Sequence, residues 1–268
     1  MYDVKIIADS IGDHGIRICT FQVRYWRAIH AELMTHRMFS RNASSSRAIP
    51  VLTMLKQVWN DPAGPLHWGQ NRPGMQAHEE LPGWRKRAAR MLWRGAAKAA
   101  CVFAWSLMKL GAHKQVANRI LEPFQYISVI ITATDWDNFF ELRDHPDAQP
   151  EIQHLARLMR KAMDESKPQW LAVGQWHLPY ITRAERNTNP LDMLLRASVA
   201  RCARVSYLTH DGDTPSLKKD IALHDRLVVA KPIHASPAEH QARALASPQR
   251  VRNFHGWHQY RVDVEHFF

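Results

Sequence analysis

The chain has 268 residues, 46% hydrophobic and 23% charged, with a formal net charge of +11. That length can bury a sizeable core, and the basic balance favours anionic partners without separating nucleotides, folates, nucleic acid or a membrane surface. Three scattered cysteines (Cys19, Cys101, Cys202) exclude a disulfide scaffold and read as free thiols in a reducing cytoplasm, while the 16 histidines show no HxxxH or Cys/His ligand spacing, so no metal is expected.

Residues 4–8 and 16–23 read as strands, the second alternating apolar and polar. Residues 25–34 predict an amphipathic helix with Ile29, Leu33 and Met34 on one side. It runs into Thr35-His-Arg-Met-Phe-Ser-Arg-Asn-Ala-Ser-Ser-Ser-Arg47, which carries Arg37, Arg41, Arg47, His36 and four serines with no acid. Guanidinium forks bind phosphate oxygens bidentately and serine hydroxyls add neutral donors. A solvated basic loop is the plain alternative. Pro50 starts a short helix over 49–59. Residues 61–83, rich in Pro and Gly, form an ordered loop with Trp68, Met75 and Trp84 packed down. A long Ala-rich helix follows over 84–110, basic on one side. Its most apolar run, 96–110, is too short to span a bilayer and is interrupted by Lys98 and Lys109. Helix is expected over 116–121 until Pro123, a β-branched strand over 127–134, and helices over 135–142 and 149–166. Residues 168–190 form a connection. Helix resumes at 191, then a short strand at 203–207, a turn at 211–213 and a helix over 216–229. Strands mixed with long helices, without regular alternation, give an α+β class in one domain over 1–268. No GxGxxG or GxxxxGK[ST] loop is present.

The basic loop resembles the signature of the flavin-dependent thymidylate synthases, RHRxxSxNExSxRY. His36, Arg37, Ser40, Asn42, Ser45 and Arg47 match it; Thr35, Ala43 and Ala48 depart from it. Asn118-Arg-Ile-Leu-Glu-Pro, then Asn138-Phe-Phe-Glu-Leu-Arg143, then Asp147-Ala-Gln-Pro-Glu-Ile152 resemble the same family's ARxxLP…NFxxLR…AQxEI run. Cys202-Ala-Arg-Val-Ser-Tyr207 and His234-Ala-Ser-Pro-Ala-Glu-His240 resemble ARVSF…HxTPFEH, a stretch that precedes the basic loop in the family. Its place here, at 200–242, implies circular permutation, which surface termini tolerate. Residues 51–110 are an inserted loop and helix outside the resemblance.

The resemblance implies a mixed α/β domain with a mainly antiparallel sheet flanked by long helices, and C5 methylation of dUMP to dTMP with FAD, NADPH and methylenetetrahydrofolate. It sets Arg143 against the pyrimidine ring as the catalytic cation, and gives the phosphate to Ser45, Arg47 and Arg119. It gives the flavin to His36, Arg37 and Asn42, with Ser206 near its phosphates and His240 near its face. Thr132 and Thr134 stand where the family often has the Asn and Arg of NxR. Gln259 and Arg261 of the tail are candidates to restore some of those contacts. A homotetramer is implied, since family sites lie between subunits; no membrane and no nucleic-acid partner are expected. Two alternatives stay open. One is a dCMP-directed or hydroxymethylating variant. The other is a basic nucleic-acid-binding protein using Arg85, Lys86, Arg87, Arg90 and Arg94.

Overall fold

The computed structural model describes residues 1–74, 77–206, 216–228 and 231–267. A hairpin opens the chain, β1 (Asp3–Gly12) and β2 (Arg17–Trp26), and turns through Gly15 at φ +77°. A four-residue helix α1 (His30–Leu33) leads to β3 (Ser40–Ala43), α2 (Val51–Asn60) and the long α3 (Gly83–Lys109). After α4 (Lys114–Ala117) and a 3-10 turn (Asn118–Phe124) come β4 (Tyr126–Ala133), α5 (Asp137–Arg143) and α6 (Pro150–Glu165). Short strands β5 (Gln169–Leu171) and β6 (Trp176–His177) precede α7 (Arg183–Thr188) and α8 (Leu191–Ala203). The remainder holds α9 (Leu217–Val228), a 3-10 turn (Ser236–Glu239), β7 (Ala242–Ala244), β8 (Arg250–Val251), β9 (Phe254–His255), β10 (Trp257–Gln259) and α10 (Tyr260–Phe267).

The main sheet runs β3-β4-β2-β1-β5, antiparallel except for the β1–β5 pair. Alternation along β2 and β4 gives it two unlike faces. Cys19, Phe21, Val23 and Tyr25, with Val129, Ile131 and Ala133, pack on Phe139 and Phe140 of α5 and Ile152, Leu155 and Met159 of α6. The opposite face is part polar, with Ser10, Thr20, Ile130 and Thr132 buried under the C-terminal third and Gln22, Arg24 and Ser128 half-buried. Ser10 Oγ meets His177 Nδ1 at 2.9 Å, and His177 Nε2 meets Thr20 Oγ1 at 2.8 Å. Thr20 Oγ1 meets Thr132 Oγ1 at 2.7 Å, and Thr132 Oγ1 meets His240 Nδ1 at 2.8 Å. Beside this row Ser40 Oγ accepts from Asn253 Nδ2 at 3.0 Å and Gln259 Nε2 at 3.1 Å. The α+β expectation therefore holds, and so does the mainly antiparallel sheet.

Several local expectations give way to packing. The 25–34 helix shrinks to α1 after a 3-10 turn, because Tyr25 and Trp26 pair with Ile127 and Tyr126 in the sheet. Of the expected strand 203–207, residues 203–206 are instead the end of α8 and a 3-10 turn, which bring Cys202 and Val205 onto Ile130. Cys202 is thus helical. Trp84 is 71% exposed rather than packed down, whereas Met75, Tyr207 and the 211–213 turn lie outside the described residues. On α3 the buried side is a stripe of small groups (Ala97, Ala100, Cys101, Ala104) against Met54, Val58 and Leu121. Met91, Leu92 and Phe103 point outward, at 70%, 75% and 63% exposure. Among the described residues no helix is long and apolar enough to cross a membrane.

Candidate active site

Burial of Phe139 and Phe140 orients α5 so that its last residue, Arg143, reaches back over α1. Its guanidinium donates from Nε to His36 Nε2 at 3.0 Å, from Nη1 to Glu32 Oε2 at 3.2 Å and from Nη2 to Thr35 Oγ1 at 3.3 Å. A guanidinium has five N–H donors, so this cradle leaves two for a ligand. The neighbouring Asp144 does not compete, since it takes Arg157 at 2.8 Å and Arg160 at 3.4 Å. His36 accepts at Nε2, which requires a neutral ring. Its pKa falls to about 4 through burial and through the charges of Arg143 and Arg41. Phe39 stacks on it at 5.6 Å and Phe139 meets it edge-on at 5.0 Å.

Arg143 and Glu32 open onto a cleft of about 850 Å³ bounded by Trp26, residues 146–151 and part of the 61–83 segment, including His67 and His78. That segment is pinned in place. Leu66 N donates to the buried Glu151 Oε1 at 2.8 Å, Ala63 N to Phe124 O at 2.9 Å, and Trp93 Nε1 to Ala63 O at 2.8 Å. The 61–83 segment therefore walls the Arg143 cleft.

The signature is not one loop. β3 divides it, and a four-residue strand sets its two ends about 10 Å apart. Within β3, Arg41 Nη1 caps α1 by donating to Met34 O at 2.8 Å. After β3, Ser44 N is tied to Ser128 O at 2.8 Å and Ala48 N to Ser45 O at 2.9 Å. Ser45 Oγ accepts from Arg47 N at 3.3 Å, so this hydroxyl serves the turn itself. The buried Asn118 donates from Nδ2 to Ser46 O at 2.7 Å and Ile49 O at 2.9 Å. Arg119 does join the loop, but through Glu122. Oε1 of Glu122 accepts from Ser46 Oγ at 3.0 Å and Arg119 Nη1 at 2.8 Å, and forms an ion pair with Arg27 Nη2 at 3.2 Å. Arg47 is exposed and has no side-chain partner among the described residues. Glu32, Arg27 and Glu122 had gone unnoticed in the sequence. A signal existed: Glu32 is the sole acid in 25–47, and Glu122 the sole acid in 81–134.

Of the five residues assigned to a flavin, His36 and Arg37 lie side by side, while Asn42 and His240 are engaged elsewhere in the fold. Arg37 is exposed with no partner among the described residues, and it adjoins His36, whose Nδ1 has none either. Asn42 instead ties β3 to the 236–239 turn, its amide nitrogen donating to Ser236 O at 3.2 Å. His240 has no exposed surface. Its Nδ1 is held by Thr132 and its Nε2 has no partner, so a flavin ring cannot lie against it in this arrangement. Burial alone lowers its pKa to about 3. Ser206 ends the turn after α8, and its side chain is outside the described part. Thr132 is equally buried, while Thr134 Oγ1 accepts from His255 N at 3.1 Å. The tail residues are braces too: Gln259 donates to Ser40, Glu239 and Asn253, and Arg261 pairs with Glu239 and Glu265. All three cysteines are buried and their thiols are pushed upward by burial, so none suits a thiolate nucleophile.

Two solved structures of the UMP/dUMP methylase PolB from Streptomyces cacaoi are similar. The one bound with 5-Br UMP is 19% identical over 62% of this chain and 89% of that one, with TM-score 0.49. The one bound with 5-Br dUMP is 18% identical over 62% and 90%, with TM-score 0.50, and bears on the fold alone. No curated protein matches the chain. The family model described as thymidylate synthase complementing protein matches residues 17–169. That span is more than half of the chain and contains the divided signature, the Arg119 turn and Arg143, and by it the protein belongs to the flavin-dependent thymidylate synthase family.

Proposed function

We propose that the protein methylates C5 of a pyrimidine deoxynucleotide monophosphate, dUMP to dTMP. The observation that carries this reading is Arg143, fixed by three acceptors at the edge of a cleft with two N–H donors unengaged. Making C5 nucleophilic places negative charge on the ring carbonyls, and a pre-oriented cation lowers the cost of that charge. The 44–47 turn, with Arg47 and Arg119, holds the phosphate at the other end of β3. His36 and Arg37 hold the polar edge of a flavin. When bound, reduced FAD supplies hydride, NADPH reduces it, and methylenetetrahydrofolate supplies the carbon, so no protein thiolate is needed.

The family's N-terminal segment is carried by residues 200–242. In support, the 3-10 turns Arg204–Ser206 and Ser236–Glu239 both pack on β3. The working unit is a homotetramer of a cytoplasmic enzyme. The outward Met91, Leu92 and Phe103 of α3 offer apolar surface for subunit contact.

The test combines FAD titration with product analysis by mass spectrometry on dUMP and dCMP. Expected are FAD binding, NADPH oxidation and a methyl product from dUMP. A hydroxymethyl product, or turnover of dCMP alone, would replace the stated reaction with the corresponding variant. No flavin binding and no product would overturn the reading. Arg143→Lys should lower carbon transfer by about a hundredfold while FAD binding persists, because the ammonium keeps the charge and loses the fork.

A further inference from the structure

Resting on the reading of the 44–47 turn as the phosphate end, we propose that Glu122 determines specificity there, restricting the site to nucleotides with a single phosphate group. Three groups from three separate segments meet on one oxygen of this carboxylate: Ser46 from the signature and Arg119 from the 118–124 turn donate to it, and Arg27 from the turn after β2 forms an ion pair with it. Two guanidiniums and a hydroxyl are the donor set that a phosphate oxygen calls for. Here that set surrounds a resident anion. Glu122 also stands at the position of Leu in the ARxxLP run, so the anion is a property of this chain.

The node is open enough for a ligand to share it. The side chains of Arg27 and Glu122 are 23% and 22% exposed, and that of Arg119 is 55% exposed. On its inner side Asn118 Oδ1 is buried without a partner, a second negative pole facing the protein interior. Lys114 Nζ donates to Ala48 O at 3.1 Å, so Lys114 joins Arg27, Arg47 and Arg119 at the turn, where Glu122 is the counter-ion of Arg27 and Arg119. One phosphate group can exchange bonds with Glu122, taking donors that the carboxylate leaves unengaged. A second or third phosphate brings further negative charge toward the same carboxylate. Glu122 thus discriminates by charge, and its effect grows with the charge of the ligand.

The experiment is calorimetric titration of dUMP, dUDP and dUTP into wild type, Glu122→Gln and Glu122→Asp at low salt, without divalent metal. Gln keeps the length and one acceptor oxygen, and Asp keeps the charge. Wild type should prefer dUMP. In Glu122→Gln the affinity for dUTP should rise by about tenfold relative to that for dUMP, while Glu122→Asp should keep the wild-type order. A purely bracing role for Glu122 would change all three affinities by one common factor, and that result overturns the proposal. Wild type that binds dUTP as well as dUMP overturns it too. If wild type binds none of the three nucleotides, the phosphate reading of the turn fails and takes this inference with it.

Discussion

Thr132 sits at the centre of the polar row beneath the C-terminal third, and Thr132→Val probes it with little change in volume. Its Oγ1 is shared between Thr20 Oγ1 at 2.7 Å and His240 Nδ1 at 2.8 Å, and all three residues have no exposed surface. Valine keeps the packing and removes both bonds. His240 then has neither ring nitrogen paired, since Nε2 has no partner already. Thr20 retains only His177. Each buried group left unpaired costs roughly 1–3 kcal/mol, so the variant should lose about 2–4 kcal/mol. Urea unfolding measures this, with the midpoint lowered and the slope unchanged. The double variant Thr20→Val/Thr132→Val should lose less than the sum of the two singles, because the bond between them is counted in both. A loss under about 0.5 kcal/mol for Thr132→Val, or strict additivity in the double, would refute the idea that these hydroxyls act as one connected row.

Thr35→Arg restores the family's residue yet should lower carbon transfer by at least about tenfold, because it replaces an acceptor of Arg143 with a second guanidinium; Thr35→Ser should retain activity, and improvement by Arg in steady-state assays would refute the cradle. A Cys19, Cys101, Cys202→Ser triple variant should keep turnover if its circular dichroism matches wild type, since these buried thiols resist ionisation; a folded but inactive triple variant would point to a thiolate route. Acid should destabilise the fold early. His36 titrates at about 4, and His177 and His240 at about 3, all depressed from 6.5 by burial first. Between those values and 6.5 the unfolded chain binds more protons, so stability is full above about 6.5 and falls as pH drops, by about 1.4 kcal/mol per pH unit for each fully buried ring. Urea midpoints at pH 7.5, 5.5 and 4.5 check this, and a flat profile contradicts it.

What was legible in the sequence had a local cause. Alternation in 16–23 and β-branching in 127–134 mark strands because side-chain period alone decides which face is buried, and both became central strands of the sheet. Pro50 likewise marks a real boundary, whereas Pro123 lies inside the 3-10 turn, which runs on to Phe124. The failures have a common physical origin in distant partners. Tyr25 and Trp26 have helical neighbours but are held extended by β4. Residues 203–205 are apolar enough for a strand, yet Ile130 takes them in helical spacing. At the candidate site, Arg143 and Arg119 stood out by pattern, whereas their acidic partners Glu32 and Glu122 did not, because a pattern built on cations does not ask where the counter-charge sits. His240 looked like a ligand contact because its burial depends on β4 and the polar row, more than 100 residues away.

The polar row has a consequence for how the last third finds its seat. A greasy face accepts many registrations with similar energy, because apolar contact has no direction. Here a slip to the next position on the same face of β4, two residues on, would put Ile130 in place of Thr132 opposite His240 and leave imidazole and hydroxyl groups unpaired in the dry interior. Directional bonds therefore work as an address, admitting one docking pose and penalising its neighbours. A segment whose seat is written on the sheet in this way does not depend on a short connecting loop to guide it there. Such a segment is free to enter the chain at either end.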